Sequence, residues 1–299
     1  MENIKLQYSL KKLGLIVLLI GPAFILFTTF VVLPVFQGAY YSLFNWKGIG
    51  PLNNFIGLRN FQKLFTHQHF ITALINNLKV VVFSLLFQLP TAFFFALLIG
   101  RQKFPGSVIF RSFYFFPYVL TEIIAGVIWR FIYNPQFGFL TQLSVLFGPG
   151  KTEIAMLGNP QTAFNAIFVV IFWKYIGFHM ILYIAGLQGV PKELEDAAII
   201  DGASPVQVIW HVVLPSIRNT IMISVFLSVI GSFNVFDIVW AMGQGGPDHS
   251  TETLVTYLYN FGYKRFAFGY GSAVAIVIFF VCLGFNILYQ KYVVGDAHK

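Results

Sequence analysis

Six apolar stretches dominate the chain, near residues 13–36, 71–99, 108–132, 162–190, 216–242 and 270–292. Each is long enough to cross a bilayer, which takes about 20 helical residues. Backbone polar groups cannot be left bare in lipid, so only helices and closed barrels span it. Barrel strands alternate polar and apolar residues, and runs such as Ile16-Val17-Leu18-Leu19-Ile20 do not. The expected fold class is therefore all-α: a polytopic membrane protein with six transmembrane helices, in a single domain over residues 1–299. Composition points the same way, because only 10% of the residues are charged where soluble domains carry roughly 25%. A single cysteine, Cys282, excludes a disulfide scaffold. The net charge of +8 is scattered singly between apolar runs, which speaks against nucleic acid and for basic residues at cytoplasmic helix ends.

Lys5, Lys11 and Lys12 precede the first stretch as they would in a signal peptide. The apolar run is too long for one, and no small-residue cleavage site follows, so it is expected to remain as an anchor. The N-terminal lysines, together with Arg101 and Lys103 in the short second connection, place both termini in the cytoplasm by the positive-inside rule. Outside, segment 45–70 carries Phe55, Leu58, Phe61, Leu64 and Phe65 at helical spacing and reads as a short interfacial helix. Segments 133–160 and 243–269, rich in Gly, Pro, Asn and Gln, read as loops.

Catalytic motifs are missing: the sequence has no HExxH, no cysteine pair and no G-x-S-x-G. Of the six histidines only His179 lies well inside a span, so haem ligation from facing helices is disfavoured. Gly148-Pro149-Gly150-Lys151-Thr152 ends like a phosphate-binding loop, but Val145 stands where the motif needs its first glycine. ATP is not bound by this route.

One cytoplasmic loop is unusual. Residues 191–215 connect spans four and five, and they are acidic where basic residues would be usual. Pro191 suits a first helical position, and Glu193, Glu195 and Asp196 then fall in the first turn, favoured by the helix dipole. Gly202 and Ser204-Pro205 end the helix; a second short run follows over about 206–213. Ala197, Ala198, Gly202 and Ala203 let another backbone come close. Either a solvated connector or a helix seated in a partner's groove satisfies this pattern.

The same loop resembles a known family. Asp196-Ala197-Ala198, then Gly202, then Val212 and Leu214-Pro215, is similar in spacing to the signature of permease subunits of bacterial ABC importers, with Asp in place of Glu and Val in place of Ile. The string Glu195 to Ala203 resembles the carbohydrate-uptake branch. Phe55-Ile56-Gly57-Leu58-Arg59-Asn60-Phe61, Trp129 to Pro135, and Phe233-Asn234-Val235-Phe236-Asp237 with Gly245-Gly246-Pro247 extend the likeness over nearly the whole chain. The last pattern favours the MalF-like partner over its MalG-like sibling.

The resemblance implies the ABC importer permease fold and a pore-forming subunit that is not an enzyme. It implies a second permease subunit, two ATPase subunits that hold ATP and Mg, and an extracytoplasmic sugar-binding protein, all at a bacterial cytoplasmic membrane. No cofactor would be bound by this chain. The coupling residues would be Glu193, Glu195, Asp196, Ala197, Ala198, Asp201 and Gly202. Tyr118, Glu122, Lys174, Tyr175, Ser232 and Val235 would face the substrate pathway, with Asn234 and Asp237 as neighbours. Charged groups inside spans are costly and hence functional candidates; a buried structural ion pair between Glu122 and Lys174 is the alternative. Trp129 and Trp173 read as packing aromatics or as sugar platforms. The competing reading is a self-contained secondary transporter, which would want broken helices in matched repeats; Pro90 and Pro117 interrupt spans two and three, but no matched second set is visible.

Overall fold

The computed structural model describes residues 2–100, 106–147 and 155–294. Arg101, Lys103, the Gly148–Thr152 segment, His298 and Lys299 lie outside the described residues, as do the side chains of Lys5, Lys11 and Lys12. Among the described residues the regular elements are helices, and the β-contact is an isolated bridge between Phe44 and Phe55.

The first long helix, α1, is apolar over Leu15–Tyr41, and after it come α2 (Arg59–Thr66) and α3 (Gln68–Gly100). The third span is two helices, α4 (Ser107–Val119) and α5 (Glu122–Ile132), bent by 99°. Next are α6 (Phe139–Phe147) and α7 (Pro160–Gln188). The loop helix α8 (Lys192–Ile200) leads to α9 (Pro205–Ser216) and α10 (Arg218–Phe233), bent by 73°. Two short helices, α11 (Asp237–Gly243) and α12 (Leu254–Tyr257), precede α13 (Phe268–Val293). Counting each bent pair as one gives the six spans expected from the sequence.

The structure corrects several expectations. Stretches 108–132 and 216–242 are not continuous helices: the first breaks at Leu120 and Thr121, and the second ends at Phe233 before Asn234, Val235 and Phe236. Hydropathy sums over a window and does not register a break of two or three residues. Segments expected to be loops contain α6 and α12; the latter starts with a capping box between Thr253 and Thr256. In segment 45–70 the interfacial helix is confined to Arg59–Thr66, just before α3 begins at Gln68, and Phe55 pairs with Phe44 instead. Pro90 does not interrupt its span. A wide π-type turn precedes a Leu-Pro pair three times: Thr28–Val32 before Pro34, Ser84–Gln88 before Pro90, and Ile209–Val213 before Pro215. Proline lacks an N–H and its ring collides with the carbonyl four residues back, and a turn with one extra residue relieves that collision.

Contacts divide the chain into two units, one of Met1–Phe65 with Asn260–Phe279 and one of Thr66–Tyr259 with Phe280–Lys299. In the first, α1 leaves Leu18 and Phe30 each 73% exposed, a surface suited to lipid rather than water. The buried Asn60 side chain anchors α2 by donating to the carbonyls of Ser42 (2.7 Å) and Phe44 (3.0 Å). In the second unit α7 is the central post, packed by α3, α4 and α10. One apolar core forms around Phe164, Ile167 and Ile171 with Ile238 and Val239; another forms around Ile176, Met180 and Ile184 with Ala92, Ala96 and Val213.

The α4–α7 crossing depends on Gly177, where an added Cβ would lie 1.9 Å from the Tyr114 carbonyl oxygen. Close backbone approach at small residues is the usual means of packing helices in lipid. Gly177→Ala should therefore cost about 1–3 kcal/mol by overpacking. Gly284→Ala, where nothing lies within 4 Å of an added Cβ, should not destabilise. Denaturation in detergent followed by tryptophan fluorescence checks both, and equal stability of the two variants would refute the packing argument.

Candidate functional site

The break in the third span follows from its sequence. Pro117 cannot donate within α4, Leu120 is extended (φ −63°, ψ 143°), and Thr121 caps α5 by accepting from the Ile124 N–H at 3.3 Å. A helix end leaves carbonyls without intrahelical donors, which is costly away from water. Lys174 of α7, only 3% exposed, supplies the donor: its Nζ donates to the carbonyls of Pro117 (3.4 Å), Tyr118 (3.3 Å) and Leu120. Its ammonium also lies over the rings of Tyr118 and Tyr175, 5.8 and 5.6 Å from their centroids. Glu122 takes a different partner, accepting the hydroxyl proton of Tyr175. The Glu122–Lys174 ion pair considered from the sequence is not formed.

The break after α10 is held from α3. Asn77 donates to the Ser232 carbonyl at 2.5 Å and accepts from the Leu254 N–H at 2.7 Å. Its neighbour Asn76 donates to the carbonyls of Ser250 (2.8 Å) and Glu252 (2.9 Å). Thr253 Oγ1 donates to the Val235 carbonyl at 2.7 Å, closing the broken segment against the next loop. Glu252 is fully buried, and its carboxylate faces His249 Nδ1 at 2.8 Å and accepts from Thr256 at 2.5 Å. Neither asparagine was singled out by sequence reasoning, although two adjacent amides inside an apolar stretch are the kind of costly group that marks a site.

In the second unit a cavity of about 200 Å³ opens against α7. Tyr118, Tyr175, Ser232 and Val235 line it, as do Ser84, Gln88, Phe178, His179 and Ser228, which sequence reasoning did not single out as pathway residues. Tyr118 stacks on Phe178 with centroids 4.6 Å apart. His179 is buried, its Nδ1 2.7 Å from Ser224 Oγ. Glu122, Lys174, Asn234 and Asp237 are not among the lining residues. Asn234 donates to its own helix at the Ile230 carbonyl (2.9 Å), and Asp237 lies in the first turn of α11. Trp129 meets Trp173 edge-on at 5.6 Å and packs on the core around Phe164.

Away from the cavity, α8 stands exposed. Pro191 is its cap rather than its first residue, so Asp196 falls beyond the first turn, which keeps Glu193 and Glu195. The helix ends in a Schellman motif: the N–H of Ala203 donates to the Ala198 carbonyl (2.9 Å) and that of Gly202 to Ile199 (3.0 Å), with Gly202 at φ +85°. Leu194, Ile199 and Ile200 are 50%, 58% and 85% exposed on this helix. The next helix starts with a reciprocal capping box between Ser204 and Gln207.

Comparison with known proteins decides the family. Residues 13–293 match the model of the binding-protein-dependent transport system inner membrane component. The chain belongs to this family. Membership sets aside the self-contained secondary transporter, and the chain is a permease subunit of an inner-membrane transport system. It is 36% identical over 281 residues to the diacetylchitobiose uptake system permease protein NgcF of Streptomyces coelicolor, covering 90% of this chain and 79% of that one. It is 30% identical over 288 residues to the trehalose/maltose transport system permease protein MalF of Thermococcus litoralis, covering 96% and 95%. A crystal structure of a bacterial ABC transporter that imports the acidic polysaccharide alginate shares the fold, with a TM-score of 0.82 at 22% identity over 96% of this chain and 99% of that one.

Replacing Asn77 with Leu strands the Ser232 carbonyl and the Leu254 N–H. The expected loss is about 1–3 kcal/mol for each, read as a lowered denaturation midpoint in detergent. An unchanged midpoint would refute the bracing role.

Proposed function

We propose that this chain is one of two permease subunits of an ATP-driven importer of a sugar or oligosaccharide. It lies in the bacterial cytoplasmic membrane with both termini on the cytoplasmic side. The observation that carries the coupling role is α8, a capped helix that leaves Leu194, Ile199 and Ile200 in the open at the loop whose spacing matches the importer signature. A short helix of this kind is built to seat in a partner. That partner is an ATPase subunit, which holds ATP and Mg; Glu193, Glu195, Asp196, Ala197, Ala198, Asp201 and Gly202 form or flank the contact. An extracytoplasmic binding protein delivers the sugar, a role supported by the family's description. The sugar class is supported by the names of the relatives, which carry diacetylchitobiose and trehalose or maltose.

The pathway in this chain is the cavity against α7. Tyr118 and Tyr175 offer aromatic faces to the apolar faces of sugar rings, while Ser232 and the Tyr118 hydroxyl serve sugar hydroxyls. Lys174 and Glu122 act one layer behind, holding the break and Tyr175 in place. Nucleotide shifts the complex between its two facing states by binding one of them better, and α8 transmits that shift.

Two measurements test this reading. A mild-detergent pull-down of tagged protein should recover a second permease and a nucleotide-binding subunit, with ATPase activity in the eluate; recovery of this chain alone, able to transport without ATP, would contradict it. Gly202→Val forces a branched side chain into a left-handed conformation, costing roughly 1–2 kcal/mol and displacing the end of α8. Uptake should fall at least tenfold at unchanged membrane abundance, and normal uptake would exclude the docking role.

A further inference from the structure

The helix α6 is folded inside out. Thr141 is fully buried on it and its hydroxyl donates to the Pro135 carbonyl at 3.0 Å, while Ser144 donates to the Thr141 carbonyl at 2.7 Å. The large apolar side chains face away: Phe139 is 61% exposed, Leu146 73% and Phe147 86%. Phe139 and Leu146 stand two turns apart on one face of the helix. A surface helix in water does the opposite, burying its apolar stripe and exposing its polar one. The entry to α6 fixes this orientation. Asn134 Oδ1 accepts from the N–H groups of Gln136 (2.9 Å) and Phe137 (3.3 Å), the Asn134 carbonyl accepts from the Gly138 N–H (2.8 Å), and Leu140 packs on the core around Phe164.

The chemistry of the surrounding chain says what covers that face. From Phe131 to Phe147 the sequence has no Asp, Glu, Lys, Arg or His. The run is preceded by Arg130, exposed in the last turn of α5. An uncharged apolar surface with a cation at its edge complements a phospholipid, whose acyl chains take the side chains and whose phosphate takes the guanidinium. The run also continues the apolar surface of the third span, because the exposed Phe131 of α5 meets the Phe137 ring at 6.4 Å. A soluble partner that comes and goes would instead be met by a patch with a polar rim, and between encounters it would leave these large apolar side chains in water.

We infer that α6 is a membrane-surface anchor, lying in the boundary between lipid headgroups and acyl chains. Phe139, Leu146 and Phe147 enter the lipid, and Arg130 sits at the level of the phosphates. On the orientation proposed above the leaflet is the extracytoplasmic one; the lipid contact itself does not depend on that orientation. Because α6 follows α5 after a tight turn, the anchor holds the end of the broken third span at the membrane surface.

Spin labelling tests this in the importer assembled with its partner subunits and reconstituted into vesicles of phosphatidylethanolamine and phosphatidylglycerol. In a Cys282→Ser background, nitroxides are attached at Phe139→Cys and Leu146→Cys, in complexes matched for ATPase activity. A doxyl-labelled phospholipid is the lipid reference and a free water-soluble nitroxide the water reference. Power-saturation EPR reads collision rates with oxygen, which concentrates in lipid, and with a neutral nickel chelate, which stays in water. The oxygen-to-nickel ratio at 139 and 146 should exceed the water reference by about fivefold or more and approach the lipid one. A ratio equal to that of the water reference would overturn the anchor. Slow collisions with both reagents would also overturn it, since they place protein rather than lipid on the face. So would labels that stay open to nickel until the soluble binding protein is added, which would make α6 a docking surface for that protein.

Discussion

Backbone groups freed at a helix break inside a membrane must find partners within the protein, and this structure is organised around that requirement. The third span breaks beyond Pro117, and the carbonyls it frees converge on Lys174 Nζ. Helix α10 ends at Phe233, and Asn77 and Thr253 hold the two sides of the irregular segment that follows. A lysine in a span would be an isolated burden in a hydrocarbon setting; with three carbonyl acceptors it becomes the reason the break can exist. Because α7 supplies that lysine, it fixes where α4 stops and α5 begins, and thereby where Tyr118 and Tyr175 meet.

The breaks also place the cavity. A straight third span would carry Tyr118 and Glu122 on one continuous helix. The 99° bend instead leaves Tyr118 on the cavity wall and turns Glu122 to the Tyr175 hydroxyl behind it. The charged groups are therefore supports, while hydroxyls, amides and aromatic faces form the lining. At the loop end the logic reverses. A Schellman stop at Gly202 and the capping box that starts α9 end the short helix α8 sharply and leave its apolar side chains exposed.

The sequence made some of this legible and hid the rest for physical reasons. The spans follow from apolar run length, a property of single segments. The α8 helix and its stop at Gly202 follow from local cap chemistry, with an error of one residue at Pro191. Tyr118, Tyr175, Ser232 and Val235 were assigned to the substrate pathway through family resemblance, and in the structure all four line one cavity. The partner of Lys174 was not legible, because charge complementarity suggested Glu122 and sequence does not reveal that a break 54 residues away offers carbonyls. Asn76 and Asn77 were legible as polar residues in an apolar run but were read past. Gln88 lies in a turn whose widening becomes apparent once Pro90 is seen inside a continuous helix.

The central claim is that Lys174 holds the third-span break open. Hydrogen–deuterium exchange of the segment 121–126, in the purified protein with Lys174→Met beside Lys174→Gln, tests it most directly. Loss of the donor should speed exchange there at least tenfold in the methionine variant, with the glutamine variant in between and α3 unaffected. Exchange at the wild-type rate in Lys174→Met would contradict the account.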